Sequence, residues 1–389
     1  MCICPVAPPP LPFQLGREEL HAGDAGVIGR YTLLEVLGAG TYATVYRAVE
    51  TRSGQAVAVK LLRTTTPTEH KSAVHEVVLN MRVKHRLKSM SERRYQAAVD
   101  LLPPLLDVCE PCSTPGTCDQ SRSNACLVFG LLEGGTLEHY LENLGRSGRR
   151  TTDAEAKTAM RRLLSAIAAL HDAGVAHCDV KPANLMLGLA GDLDSLTLID
   201  LGFAVDLLSE GSRQAQGTPH YCAPEQARAF FCRDSASYGT EVDTWAVGVV
   251  LHRLLFGELP FTGYCNTELL QSVMMYNDRL PGATLAQCSD DARSLLAGLL
   301  CSDPQKRLTA REALRHPYLQ DAEHSCSSLA SVVSPLTEIY GKIASRTGAR
   351  RRMLRAASRR HICDWSNENP PQGSARLVGT SANLRSPAE

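Results

Sequence analysis

No stretch of this 389-residue chain approaches the roughly 20 consecutive apolar residues that a membrane span requires. Neither sign of charge is in excess. The 41 lysines and arginines are matched by 41 aspartates and glutamates, which argues against a nucleic-acid binder and leaves any charged partner to a local patch. The first residues, MCICPVAPPP, lack the basic start and apolar core of a secretory signal. Cys2 and Cys4 also lack the neighbouring glycine or basic cluster that accompanies lipid attachment. The glycine–lysine loop of Walker-type nucleotide folds is absent too. Without a secretory signal, the 14 scattered cysteines read as reduced thiols, and a cytoplasmic or nuclear protein is expected.

What is present is an ordinary globular mixture, 44% hydrophobic and 21% charged, with length enough for two or so domains. Residues 1–30 are proline-rich and aperiodic and are expected to be a disordered extension. The patterned part runs over 31–319. Residues 320–389 fade into a basic tail, expected to be mostly disordered, with a cationic run over 342–360 that holds no acid. That run suits a nuclear-localisation patch, an anionic surface, a regulator that binds a basic helix, or plain solvation.

The stretch His177–Gly202, HCDVKPANLMLGLAGDLDSLTLIDLG, sets Asp179, Lys181, Asn184 and Asp200 on short turns between apolar runs. An acid, an amide and a second acid beyond a strand suit metal-assisted phosphoryl transfer: one acid orients a hydroxyl, and the other two groups hold Mg²⁺. Upstream, YTLLEVLGAGTYATVYRAVE places Gly38 and Gly40 at a hairpin, where glycines let backbone amides approach phosphates. A strand ending in Lys60 follows, then a helix-patterned segment carrying Glu76. Thr152 and Glu155, and again Thr309 and Glu312, have capping-box spacing.

HCDVKPAN followed by DLG resembles the catalytic and metal-binding loops of eukaryotic protein kinases, and the other motifs arrive in that family's order. The resemblance covers residues 31–319 and implies an α+β, two-lobed protein kinase fold. A small antiparallel-sheet N-lobe with its helix would span about 31–132, with an insert near 84–126, and a larger helical C-lobe 133–319. DVKPAN looks like the serine/threonine branch, and GTPHYCAPE with DPQKRLTAREALRHPYL looks most like calmodulin-dependent-kinase relatives.

The resemblance further implies ATP and Mg²⁺ as cofactors and serine or threonine hydroxyls of proteins as acceptors. Asp179, Lys181 and Thr218 would be catalytic, and Asn184 and Asp200 would hold the metal. Leu37, Gly38, Gly40, Val45, Ala58, Lys60, Glu76, Phe129, Gly130 and Leu132 would surround the nucleotide, with Phe129 guarding the rear of the pocket. Asp243 would accept hydrogen bonds from the backbone near His177, and Arg307 would pair with Glu225. Thr218 and Tyr221 would lie on the platform for the substrate peptide.

Four departures from the pattern stand out. Ala43 replaces the third loop glycine, Asn80 an apolar position after Glu76, Leu201 an aromatic, and Cys178 the catalytic-loop arginine that commonly receives an activation-loop phosphate. The expectation is activity without activation-loop phosphorylation; a pseudokinase or scaffold module on the same fold is the alternative. Within the insert, Cys109, Cys112, Cys118 and Cys126 suit either a zinc knuckle or a broken hairpin loop, with Cys126 opening a strand toward the cleft.

Overall fold

A computed structural model describes residues 26–90, 98, 100–109, 125–209, 216–231, 238–280 and 286–320. The proline-rich start, Cys112, Cys118, Ser212 and the tail with its 342–360 run lie outside the described residues.

Alternating apolar residues make the first lobe a six-stranded antiparallel sheet ordered β1-β2-β3-β4-β6-β5. Its strands are β1 (Val27–Ile28), β2 (Tyr31–Ala39), β3 (Ala43–Glu50), β4 (Ala56–Leu62), β5 (Leu105–Cys109) and β6 (Cys126–Gly130). Val57 and Val59 of β4 join Tyr31, Ala48, Cys126 and Val128 on one face. Leu62, Leu127 and Phe129 gather on the other, with Ala73 and Val77 of helix α1 (Pro67–Ser89).

Two expectations need correction. The sheet begins before residue 31, because a turn at Gly29, with φ 59°, lets Val27 and Ile28 pair with Thr32 and Tyr31. Cys126 does open a strand, but its side chain lies on the face away from α1 and the cleft, opposite Cys109. The strand is apolar on both faces, so its pattern carried no sign of which side turns inward.

Helix α1 starts at a capping box made by Thr66 and Glu69, with Pro67 in the first turn. It continues to Ser89 and so takes up the first part of the insert. A linker then follows β6. At Gly134 a Cβ would come within 2.6 Å of the Leu187 carbonyl oxygen, so only glycine lets the linker lie this close to the second lobe.

The second lobe is built from α2 (Leu137–Arg146), α3 (Asp153–Asp172), α4 (Pro224–Phe231), α5 (Glu241–Phe256), α6 (Asn266–Met274), α7 (Asp290–Leu299) and α8 (Ala310–Leu314). Two ribbons accompany them: β7 (Val175–Ala176) pairs with β10 (Val205–Asp206), and β8 (Leu185–Leu187) with β9 (Leu196–Leu198). Helix α5 is buried at nearly every position, as its all-round apolar sequence requires, and stops at left-handed Gly257, φ 77°. A Cβ at Gly248 would come 2.8 Å from Leu300, so the missing side chain is what lets α5 pack closely there.

Arg307 ties the end of the domain to its middle. Its guanidinium donates to Glu225 Oε1 at 2.6 Å and Oε2 at 3.1 Å, and also to the carbonyls of Cys301 and Glu241. Its side chain is fully buried and lies 5.1 Å from the Trp245 ring. Removing one member of such a pair strands the other in the interior. Arg307→Ala should therefore lower unfolding free energy in urea by about 3–5 kcal/mol. A loss below about 1 kcal/mol would mean that Glu225 is effectively solvated.

Candidate active site

Strand register aligns the groups expected around a nucleotide. Gly38 faces Val45, Val45 faces Lys60, and Lys60 faces Leu127, so one row crosses four strands. The next row on that face brings Ala58 opposite Phe129, and Gly130 lies opposite Val57 at the start of the linker that carries Leu132. Leu37 falls between Val36 and Gly38 at an irregularity in β2 and is exposed. The β2–β3 turn is closed by a 2.8 Å bond from the Gly40 amide to the Ala43 carbonyl. A Cβ on Gly38 would meet no described atom within 4 Å, so the hairpin tip overhangs open space into which amides can point. Ala43 is buried, its methyl packed in the cluster beneath α1.

Lys60 joins the lobes. Its Nζ donates to Glu76 Oε1 at 2.6 Å and to Asp200 Oδ1 at 2.7 Å. Burial disfavours the ammonium, but Asp200 and Glu76 more than offset this and raise its pKa. Burial likewise works against the Asp200 carboxylate, and Lys60 with the Gly202 amide brings its pKa below the usual value. Glu76 is the deeper of the two acids, and burial leaves its pKa raised despite Lys60. One cation thus serves two acids, and the better-hydrated acid carries the charge more easily. Asn80 does not continue an apolar seam: it is buried, and its amide donates to the Glu76 carbonyl at 2.9 Å.

The catalytic-loop region hangs from α5. Asp243 has no exposed surface; Oδ2 accepts from the His177 amide at 2.8 Å and Oδ1 from the Cys178 amide at 2.8 Å. His171 Nε2 lies 2.8 Å from Oδ2 as well. Cys178 adopts φ 64°, a left-handed conformation that costs an ordinary residue about 1–3 kcal/mol. Hydrogen bonds to a charged acceptor contribute about 1.5–3 kcal/mol each, so two of them offset that strain. The Cys178 side chain is buried in the main core. Asp200 is left-handed too, φ 69°, and follows the β8–β9 ribbon.

This backbone brings Asp179, Lys181, Asn184 and Thr218 together. Asp179 Oδ1 accepts from the Thr218 amide at 2.9 Å and its hydroxyl at 2.7 Å. Oδ2 meets Lys181 Nζ at 2.8 Å and Asn184 Nδ2 at 3.0 Å. Lys181 also donates to the Thr218 hydroxyl at 2.7 Å. The Asn184 amide nitrogen is taken up by Asp179, which leaves its oxygen as the ligand-capable atom. With the Asp200 carboxylate this makes a pair of hard oxygen donors, suited to Mg²⁺. Gly217 lies so close below that a Cβ would come 2.7 Å from the Cys178 carbonyl oxygen.

Two constellations were not foreseen. Arg253 at the end of α5 pairs with Glu138 and donates to the Tyr221 hydroxyl at 2.9 Å. Arg82 and Arg86 of α1 converge on Asp206 of β10. Arginines four apart on one helix are the one local signal for the second, and nothing nearby in sequence names their partner.

The protein kinase domain model matches residues 31–319. The chain is 32% identical over 299 residues to the phosphorylase b kinase gamma catalytic chain, liver/testis isoform, of Bos taurus, covering 76% of this chain and 68% of the relative. It is 29% identical over 304 residues to calcium/calmodulin-dependent protein kinase type I of Schizosaccharomyces pombe, covering 77% and 81%. A third relative, calcium-dependent protein kinase 22 of Oryza sativa subsp. japonica, is 29% identical over 312 residues, which is 79% of this chain and about half (49%) of that one. Fold, site and relatives agree: the chain belongs to the eukaryotic protein kinase superfamily and is a protein serine/threonine kinase with calmodulin-dependent-kinase-like relatives.

Proposed function

We propose that this kinase transfers the γ-phosphoryl group of Mg²⁺-bound ATP to serine or threonine hydroxyls of proteins, and that it does so without activation-loop phosphorylation. The observation that carries the first part is the Lys60 ammonium shared between Glu76 and Asp200 at 2.6 and 2.7 Å. Active protein kinases need their lysine–glutamate pair and metal-binding acid in place together. A pseudokinase reading has little to rest on, since Ala43, Asn80 and Cys178 remove no group expected to touch nucleotide or metal.

In this reading Leu37, Gly38, Gly40, Val45 and Ala58 cover the nucleotide, Phe129 closes its rear, and Gly130 and Leu132 offer backbone groups to the base. Asn184 and Asp200 hold Mg²⁺, which when bound neutralises charge on the phosphates. Asp179 orients the acceptor hydroxyl and takes its proton, while Lys181 offsets negative charge beside it. Thr218 holds the Asp179 carboxylate in register with Lys181. Catalysis is then positioning and fixed electrostatics.

The second part rests on Cys178. A buried thiol cannot bind a loop phosphate as an arginine does, and Asp243 already holds the loop's backbone. Ala183 stands where many basophilic kinases carry an acid, and Glu138 beside the platform is neutralised by Arg253. A strong demand for arginine upstream of the target is therefore not expected. The 342–360 run remains a candidate site for a regulator of the basic tail.

Asp179→Asn should lower kcat for peptide phosphorylation by about 10²–10⁴-fold. Equal transfer by both proteins would remove Asp179 from its role. Phosphatase-treated wild type should keep its activity in a peptide assay. Loss on phosphatase treatment, matched by a loss in Ser209→Ala or Ser212→Ala that an acidic residue restores, would show that a loop phosphate is needed after all.

A further inference from the structure

Asp206 ends β10, the short strand paired with β7 just after the Asp200 turn. Its carboxylate is almost wholly removed from solvent, 1% exposed, yet it touches neither Lys60 nor any catalytic-loop group in the bonds described above. An acid buried at that depth needs compensation, and it has an unusual amount. Arg86 grips it with both terminal nitrogens, Nη1 to Oδ1 and Nη2 to Oδ2, each at 2.8 Å. Arg82 Nη1 reaches Oδ2 at 3.0 Å, and the Ser209 hydroxyl reaches the same oxygen at 2.7 Å. The Leu208 amide completes the set at 3.1 Å on Oδ1. Burial works to raise the Asp206 pKa, and the Arg86, Ser209 and Leu208 bonds overcome it, leaving it well below the usual carboxylate range.

Both arginines belong to α1, the helix that presents Glu76 to Lys60. Spaced four apart, they share one face, and Arg86, in the last turn, also suits the helix dipole. Arg82 lies roughly 9 Å along the axis from Glu76. Arg86 adds a 2.9 Å bond to the Ala173 carbonyl at the end of α3, so polar bonds fasten the C-terminal half of α1 to the larger lobe beside the packing of Leu79, Val83 and Leu87 in its core. Nearer Glu76, His75 Nε2 lies 2.9 Å from the Ala204 carbonyl oxygen. A bidentate arginine–carboxylate pair fixes orientation as well as distance. Rotation of α1 about its axis, which would carry Glu76 away from Lys60, would have to break it.

We propose that Asp206 is a positioning residue: its carboxylate, clamped by Arg86 and Arg82, does permanently what an added phosphate does in a switchable enzyme, joining the segment after Asp200 to α1. Negative charge opposite an arginine cluster is the means by which loop phosphates order such segments. Here the charge is genetically encoded and sits one strand from the metal-binding acid. The clamp acts on Glu76 through the helix and on Asp200 through the segment joining it to β10. Ser209 belongs to the same knot, its hydroxyl also 2.7 Å from Arg82 Nη1. The catalytic consequence rests on the kinase reading above; the structural consequence does not.

The test compares wild type, Asp206→Asn, Asp206→Glu and Arg82→Gln in the full chain. The last changes a side chain that is 43% exposed and so keeps the series usable should the Asp206 variants fold poorly. Two quantities are read: kcat and KM for peptide at a temperature where each variant is folded by circular dichroism, and hydrogen exchange across α1 by mass spectrometry. A coupling of this kind is expected to lower kcat about 5- to 150-fold in Asp206→Asn, with peptide KM little changed. Exchange around Glu76 should speed up in the same variant. Asp206→Glu should recover much of both, and Arg82→Gln should move both in the same direction by less. Unchanged kcat in folded Asp206→Asn overturns the proposal, and so does a kcat loss with unaltered exchange in α1. Failure of the kinase reading looks different, since wild type itself would then transfer no phosphate while the exchange comparison still decides whether the clamp holds α1. Wild type that needs its loop phosphate would lose activity to phosphatase with the Asp206 series still informative.

Discussion

Asp243 is the group on which the rest of the site depends. It comes from a helix with no polar face, so its carboxylate is set inside the lobe, and the partners it takes among the described residues are the His177 and Cys178 amides and His171. The dependence runs both ways. The loop's left-handed Cys178 is held by the acid, and the acid is satisfied by the loop. Asp179 follows directly, which is how a short loop between β7 and β8 becomes rigid enough to carry a carboxylate at a fixed place. Arg307 with Glu225 repeats the logic at the start of α5, where it also holds the Glu241 carbonyl.

The two lobes are joined by charge as well as by apolar packing, since Leu79, Val83 and Leu87 of α1 belong to the main core that fills the larger lobe. Lys60 reaches Asp200 from the sheet, and Arg82 and Arg86 reach Asp206 from α1. Charge pairs of this kind are directional, so they fix orientation as well as distance.

Much of this was legible in the residues. Gly38 and Gly40 between alternating runs, the capping boxes at Thr152 and Thr309, and the order of the short polar motifs are local signals, and the structure has the hairpin and helices at those places. The Lys60–Glu76 and Arg307–Glu225 pairs were legible only through family resemblance, since their spacing alone says nothing of proximity. Asp206 was not legible at all. Its partners lie far off in sequence on a helix whose charges look like an ordinary solvated face. Strand β1 was too short to show a period, and β6 too uniformly apolar to show which way Cys126 turns.

The β5–β6 pair has a consequence for how the chain can change over time. Cys109 and Cys126 stand opposite each other as the last rung of the ladder, so all of the connecting sequence leaves and re-enters the sheet at one edge, and no strand or helix of the site has to move to accommodate it. Loop closure grows only logarithmically with length, each doubling costing about 0.6 kcal/mol. Lengthening, shortening or rewriting that connection therefore costs little closure free energy and leaves the strand register that carries Lys60 unchanged.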